Sequence, residues 1–394
     1  MAPPVSPVSP PHLLHLFSTF AAGGPQVRTA ALIRAAGPAF RHTIVALDGN
    51  FACRERLADL REGPDGIVAY ADPPKRGWLG GNVLRFARLI EGARPDLVLT
   101  YNWGAIEAVV GARVAGGRSL IHVEDGFGPE EARGLLWRRV AFRRIVLPFA
   151  RKVVVPSHGL ARIAAERWRV PAAKLVHLQN GIDLDYFAPV EPESRARRDE
   201  LREQWGARAV DCVVGTVARL RPEKGLELLL ASFAVLRART PASGAARVRL
   251  VVVGDGPEEE RLRAEATRIG VAGEVVFAGA CADARDALRA FDLFAMTSHT
   301  EQMPISLLEA MGCGLAVVAT DVGDVARMVA EANRPFVRAG RDPTVLSDVI
   351  VSLRHDPARR AALGAANRQK ALAEYSLPTM VGRWRGLWEE VARS

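Results

Sequence analysis

Short apolar runs separated by stretches of helical length set the pattern of this chain. LLHLF at 13–17 reads as a first strand, and a helix is expected from about Gln26 to Ala36. Further strand-like runs are TIVAL at 43–47, IVAYA at 67–71, DLVLTY at 96–101, SLIHVE at 119–124, KVVVPS at 152–157 and KLVHLQ at 174–179. Helix-length segments at 82–92, 104–115, 131–147 and 158–168 lie between several of them. Alternation of this kind predicts a mostly parallel sheet covered by helices on both faces.

The character changes from about Phe187 to Arg208, where PVEPESRARRDELREQWGAR is polar and carries an amphipathic helix of its own. The strand pattern then restarts at 211–220, 248–256, 274–279, 292–298 and 315–323. Two α/β domains follow: a proline-rich start at 1–11, a first Rossmann-like domain at 12–187, a joint at 188–208 and a second domain at 209–376. The tail at 377–394 reads as an amphipathic helix with Val381, Trp384, Leu387 and Trp388 on one side. The length of 394 residues fits two cores better than one.

Composition narrows the classes. Hydrophobic residues at 49% and charged residues at 25% exclude a globally disordered chain. The formal charge of +9 is carried almost wholly by arginine, with lysine only at Lys75, Lys152, Lys174, Lys224 and Lys370. Such a balance suits phosphate-bearing ligands or an anionic membrane surface, and arginine that merely solvates the exterior fits it equally. No zinc-like spacing, aromatic-rich module or basic tail points to nucleic acid. Cys53, Cys212, Cys281 and Cys313 stand far apart and give no disulfide framework. The start lacks the order of a secretory signal and no apolar run is long enough to span a bilayer, so a cytoplasmic protein is expected, with peripheral membrane contact allowed.

Four motifs fall at expected strand ends, where ligands bind in open parallel sheets. TFAAGGPQVRTAAL places Gly23 and Gly24 just before a helix, which permits close approach of a phosphate to its N-terminus; an ordinary tight turn fits as well. VGTVARLRPEKGLELLL places Arg219 and Lys224 beyond a strand, where two cations can clamp a diphosphate or simply be solvated. VVVGDGPEEERL supplies Gly254 and Gly256 around Asp255. SHTEQMPISLLEAMGCGLAVVATDVGD puts Glu301 in a loop and Glu309 eight residues later in a helix beginning near Pro304. The first carboxylate can accept from sugar hydroxyls and the second from a vicinal diol such as ribose. An ordinary helix-entry acid and a partner for an arginine are the plainer alternatives.

Together with Asn180, Gly181, Ile182 and Asp183 in LVHLQNGIDLDYF, these motifs in this order resemble glycosyltransferase family 4 over nearly the whole chain. The resemblance implies the GT-B architecture: two Rossmann-like domains facing each other across a cleft, with a C-terminal helix crossing back to the first. It implies a nucleotide diphosphate sugar donor, UDP- or GDP-linked, on the second domain, and acceptor recognition on the first. Arg219 and Lys224 would hold the phosphates and offset leaving-group charge, and Glu309 would hold the ribose. Glu301 would orient the sugar with Met303, Pro304, Ile305 and the Gly254 loop beside it, while Gly23 and Gly24 complete the donor set. His122, in LIHVEDGFGPEE, looks like the family's histidine facing the donor sugar, and a structural strand histidine is its alternative; Glu124 and Asp125 are secondary candidates. Retention by a front-face mechanism, no resident cofactor and no metal are likewise family implications.

Departures from the pattern are Gln302-Met303 where Gly-Phe is common, Gly323-Asp324 for Gly-Gly, and Arg327 at a position where glutamate is usual. These changes point to an unusual sugar or weakened catalysis. One stretch stays outside these assignments: GLLWRRVAFRRIVLPFARK at 134–152, with Trp137, Phe142, Ile145 and Phe149 among Arg138, Arg139, Arg143, Arg144, Arg151 and Lys152. It reads either as a surface for anionic lipid or as a packed helix solvated by arginines. The first option makes a saccharide on a polyprenyl diphosphate the expected acceptor. A small soluble acceptor and a catalytically silent sugar-nucleotide binder are the competing expectations.

Overall fold

A computed structural model describes residues 9–73, 81–117, 119–131, 134–191, 195–239, 247–281 and 283–393. Residues 1–8 of the proline-rich start, and Lys75, lie outside the described residues. The chain divides into two compact units. The first comprises Met1–Phe127, Gly134–Gln179 and Pro378–Ser394; the second comprises Gly128–Arg133 and Asn180–Leu377.

Among the described residues the first unit holds seven strands: β1 His12–Phe17, β2 Arg41–Ala46, β3 Val68–Ala71, β4 Leu97–Tyr101, β5 Leu120–Val123, β6 Lys152–Val155 and β7 Leu175–His177. Every pairing is parallel and the order is β3-β2-β1-β4-β5-β6-β7. β4 and β5 are buried along their whole length, which is why they are continuously apolar apart from Thr100 and His122. The last helix, Leu377–Ala392, joins this unit from Pro378 on. Its Trp384 and Trp388 are each 1% exposed. Trp388 meets the rings of His15, Phe40 and His42 edge-on, with centroids 5.5–6.4 Å apart. Each indole removes on the order of 200 Å² from water, which anchors the tail.

The second unit carries β8 Cys212–Val217, β9 Val248–Val253, β10 Val275–Gly279, β11 Leu293–Met296, β12 Val317–Thr320 and β13 Val337–Arg338. They too are parallel throughout, in the order β10-β9-β8-β11-β12-β13. One apolar cluster includes Val213, Phe294 and Leu308; another includes Val214, Leu230 and Ile350. Alternate residues of β8 thus point into different clusters, as the two-residue period of a strand requires.

The joint expected at 188–208 belongs to the second unit. Its helix, Arg195–Gln204, buries Arg202, which donates to Asp292 (2.8 Å) and to the Asp211 carbonyl (2.6 Å). The unit begins earlier still, at Asn180, whose amide donates to the Met303 carbonyl at 2.8 Å, while Ile182 bridges to Ser376. Among the described residues no helix is long and apolar enough to cross a membrane.

Candidate active site

In each sheet the strand order reverses once, between β1 and β4 and between β8 and β11. The loops leaving two such strands diverge to opposite sides and leave a crevice at their carboxyl ends. In the second unit those loops are the two most informative motifs of the sequence, 218–225 after β8 and 297–304 after β11. Lys224 and Glu301, 77 positions apart, meet there: Lys224 Nζ donates to Glu301 Oε1 at 2.5 Å. Ser298 Oγ donates to the same carboxylate oxygen at 2.8 Å.

Gly225 makes this meeting possible. Its φ of +58° is left-handed, and a Cβ there would lie 2.3 Å from the Thr297 carbonyl oxygen. Directly after it the helix Leu226–Ala238 begins with no side chain capping its first N–H groups, so an anion can use them. His299 fastens the two loops from the other side. Its N–H donates to the Glu223 carbonyl at 2.8 Å, and its ring Nε2 lies 2.9 Å from Glu227 Oε1.

Arg219 and Asp255 form an ion pair, both about half exposed. The two cations expected to act together are therefore each held by a different carboxylate, Arg219 by the loop after β9 and Lys224 by the loop after β11. An exposed pair such as Arg219–Asp255 contributes at most about 1 kcal/mol, so a diphosphate can take the guanidinium from it at small cost. Gly254 follows β9, and its N–H donates to the Gly279 carbonyl at 2.7 Å.

The Glu301 loop continues into Pro304, in extended conformation, and the helix Ile305–Gly312. Met303 is buried, its carbonyl accepting from Asn180 and its sulfur 3.1 Å from the Asn180 N–H. Glu309 lies half-buried one turn into that helix, about 6 Å along its axis from Ile305. The departures of the sequence gather at the same place. Gly323 has φ +58°, and a Cβ on it would fall 2.1 Å from the Glu301 carbonyl oxygen. The next N–H, of Asp324, donates to the Gln302 carbonyl at 3.1 Å. Glycine survives at 323 because two backbones touch there, while position 324 tolerates a side chain.

In the first unit His122 is fully buried. Thr100 Oγ1 lies 2.8 Å from Nδ1 and Glu124 Oε2 lies 3.4 Å from Nε2. Glu124 in turn accepts from Arg143 Nε (3.1 Å) and Nη2 (3.2 Å), with both side chains at zero exposure. Burial pushes the Glu124 carboxyl up, but Arg143 and the His122 hydrogen bond outweigh it and hold the group below the usual carboxylate range. The Arg143 guanidinium sits 5.0 Å from the Trp103 ring and 4.8 Å from that of Trp168. Arg143 was expected among the surface cations of 134–152; it is instead an interior cation whose aromatic and carboxylate partners come from distant segments.

Gly23 is extended (φ −161°) and precedes the helix Gly24–Ala36. A Cβ on Gly23 would meet only the end of the Gln26 side chain, at 2.8 Å, so no close approach of backbones demands glycine there. One turn on, Arg28 is 4% exposed and forms a two-pronged pair with Asp125, its Nη2 3.0 Å from Oδ2. Asn102, at φ +55°, accepts the Asp125 N–H at 2.7 Å. Both acids of the Glu124-Asp125 pair are thus locked by arginines. Sequence reasoning passed over Arg28, Asn102, Ser298 and His299. Arg28 stands one helical turn beyond the glycines and Ser298 three residues before Glu301, and those spacings were the available signals.

The model of Glycosyltransferase Family 4 matches residues 22–186, and that of Glycosyl transferases group 1 matches residues 197–370. The chain is 35% identical to a GDP-mannose-dependent alpha-(1-6)-phosphatidylinositol monomannoside mannosyltransferase of Mycolicibacterium smegmatis, over 69% of this chain and 70% of that protein. It is 28% identical to a D-inositol 3-phosphate glycosyltransferase of Thermobispora bispora, over 77% of this chain and 73% of that protein. Its fold superposes on Anabaena HepE in complex with UDP and glucose with a TM-score of 0.82, at 21% identity, covering 96% of this chain and 100% of HepE. The chain belongs to glycosyltransferase family 4. It has the two-lobed GT-B architecture and takes a nucleotide diphosphate sugar as donor.

Proposed function

We propose that the protein is a retaining, metal-independent hexosyltransferase that moves a sugar from a nucleotide diphosphate donor to a lipid-linked saccharide in glycoconjugate or polysaccharide assembly. The observation that carries the donor half is the Lys224–Glu301 contact at the switch point of the second sheet, beside an uncapped helix N-terminus. The donor displaces Lys224 from Glu301. Lys224, Arg219 and the N–H groups after Gly225 then face the diphosphate, and Glu301 is freed to accept from sugar hydroxyls. Met303, Pro304 and Ile305 line the sugar, Glu309 takes the ribose, and the Gly254 loop stands beside the phosphates.

As the glycosidic bond breaks, negative charge grows on the leaving diphosphate, and the two cations stabilise it more than they stabilise the bound donor. The departing phosphate takes the acceptor hydroxyl proton, so no separate carboxylate base is needed. We assign the acceptor to the first unit, and Gly23 and Gly24 to the donor-binding set. His122 takes part through Nε2, whose 3.4 Å contact with Glu124 is long enough to be exchanged for a sugar hydroxyl.

Likeness to the mycobacterial mannosyltransferase makes GDP-mannose the first donor to test, and a phosphatidylinositol mannoside the first acceptor ahead of a polyprenyl diphosphate saccharide. Likeness to an inositol-phosphate glycosyltransferase favours a second reading, a small soluble inositol phosphate. Incubation in EDTA with GDP-mannose or UDP-sugars and each acceptor in turn, followed by mass spectrometry and NMR of the new anomeric centre, separates them. An α-linked product on the lipid supports the proposal, and turnover confined to the soluble acceptor overturns its lipid half. An inverted linkage overturns retention.

A further inference from the structure

The transferase chemistry makes no use of the outer side of the helix Trp137–Val146. Leu136, Trp137, Ile145 and Phe149 are 42%, 74%, 66% and 47% exposed, four of the nine large hydrophobic side chains that stand exposed among the described residues. Trp137, Ala141 and Ile145 follow at i, i+4 and i+8 on one face, and the short turn Leu147–Phe149 extends the line. Arg138 and Arg144 flank it, both exposed. The opposite face, Val140, Arg143 and Val146, is the buried one. This helix therefore has one face spent on the core and a second apolar line turned outward, which core packing does not require.

Phe149 joins that line to a recess. The recess, about 190 Å³ in volume, is floored by Val109 and Ala112 and flanked by Arg113 and Arg151. The ion pairs of the first unit among the described residues leave Arg113, Arg138 and Arg151 unmatched. Residues 134–152 contain no carboxylate and six cationic side chains, of which Arg143 is turned inward onto Glu124 and Lys152 pairs with Glu390. Aromatic and aliphatic tips ringed by unmatched arginines complement an anionic lipid surface: the tips enter the boundary of headgroups and acyl chains, and the guanidinium groups stay with the phosphates.

We infer that this face docks the protein on an anionic bilayer, with Trp137, Ile145 and Phe149 inserted and one phospholipid headgroup seated between Arg113 and Arg151. The inference rests on the lipid-linked acceptor reading only for its purpose, since it would hold that acceptor's membrane against the first unit.

Flotation of the full chain with phosphatidylcholine vesicles, with and without phosphatidylglycerol, tests it. Binding should require phosphatidylglycerol and weaken at high salt. Trp137→Ser with Ile145→Ser should lower the partition coefficient roughly tenfold or more. Arg113→Ser and Arg151→Ser should lower it roughly fivefold each. All four side chains are exposed or at the recess rim, so melting temperature and calorimetric nucleotide binding should be unchanged, which keeps a folding defect separate. Equal binding to neutral vesicles, no flotation, or variants that float like the parent would overturn the inference. So would self-association in sedimentation velocity that the Trp137→Ser, Ile145→Ser variant abolishes, since the face would then belong to a second copy. Lost flotation with nucleotide binding intact counts against the docking face alone; absent nucleotide binding counts against the transferase site alone.

Discussion

Replacing Arg143 by methionine removes the guanidinium that is hydrogen-bonded to the buried Glu124. The arginine reaches both carboxylate oxygens, at 3.1 and 3.2 Å, and both partners have zero exposure. Breaking one side of such a pair costs about 3–5 kcal/mol, because the remaining charge is left in a medium of low polarity. The Trp168 ring at 4.8 Å loses its cation as well, for on the order of 1 kcal/mol, while Trp103 keeps Arg139 at 4.9 Å. Adding Glu124→Gln should restore much of the loss, giving a coupling energy of about 2–3 kcal/mol in a double-mutant cycle. The sign of the pH effect follows. Without Arg143, burial of Glu124 is opposed only by the His122 contact and the more distant Arg139, so its folded pKa rises and the folded variant takes up a proton more readily. Its deficit should therefore shrink as the pH is lowered from about 8 to about 5, by up to ~1.4 kcal/mol per pH unit. Urea titration followed by tryptophan fluorescence reads all of this. A deficit under about 1 kcal/mol, or one that does not change with pH, would refute the reasoning.

Other consequences are as direct. His15 and His42 are buried neutral, 3.0 Å apart, and burial foremost pulls His15 well below its ordinary value and His42 from 6.5 to about 3. Arg41 and Asp96 act on nearby His12, which bonds Thr43 at 2.8 Å. The unfolded chain binds protons at these histidines first, so stability present above about pH 6.5 should fall toward about pH 3 at ~1.4 kcal/mol per unit and histidine, and a flat urea midpoint across that range would contradict it. Gly225→Ala should cost about 1–3 kcal/mol and weaken donor binding, whereas Gly23→Ala should be nearly neutral because only the Gln26 tip must move; equal effects in thermal melts would sink the distinction. Arg219→Ala should change stability by under about 1 kcal/mol while weakening donor binding severalfold in calorimetry.

Much of the fold was legible because strand and helix lengths alternate so regularly, and the tail helix was legible from Trp384 and Trp388. What no periodicity states is which strands are neighbours. That β8 and β11 lie side by side decides that Lys224 meets Glu301. His122 and Glu124, two apart, share a face of the chain by simple alternation, so their contact was available to the eye. Arg143 was not: in a run of arginines it looks like another surface charge, and only Trp103, Trp168 and Glu124 closing around it make it interior. Gly23 admitted two readings in the sequence, close approach of a phosphate or an ordinary tight turn, and its extended backbone shows only that no neighbouring protein backbone demands glycine there.

The most direct test of the central claim is calorimetric titration of the protein in EDTA with GDP-mannose and a matched set of UDP-, ADP- and dTDP-sugars, repeated on Lys224→Ala. Selective binding of one donor without metal is expected, weakened about 10- to 100-fold in the variant by loss of a charged hydrogen bond to phosphate. Binding that is absent for every donor in the folded parent, or equal in parent and variant, would contradict it.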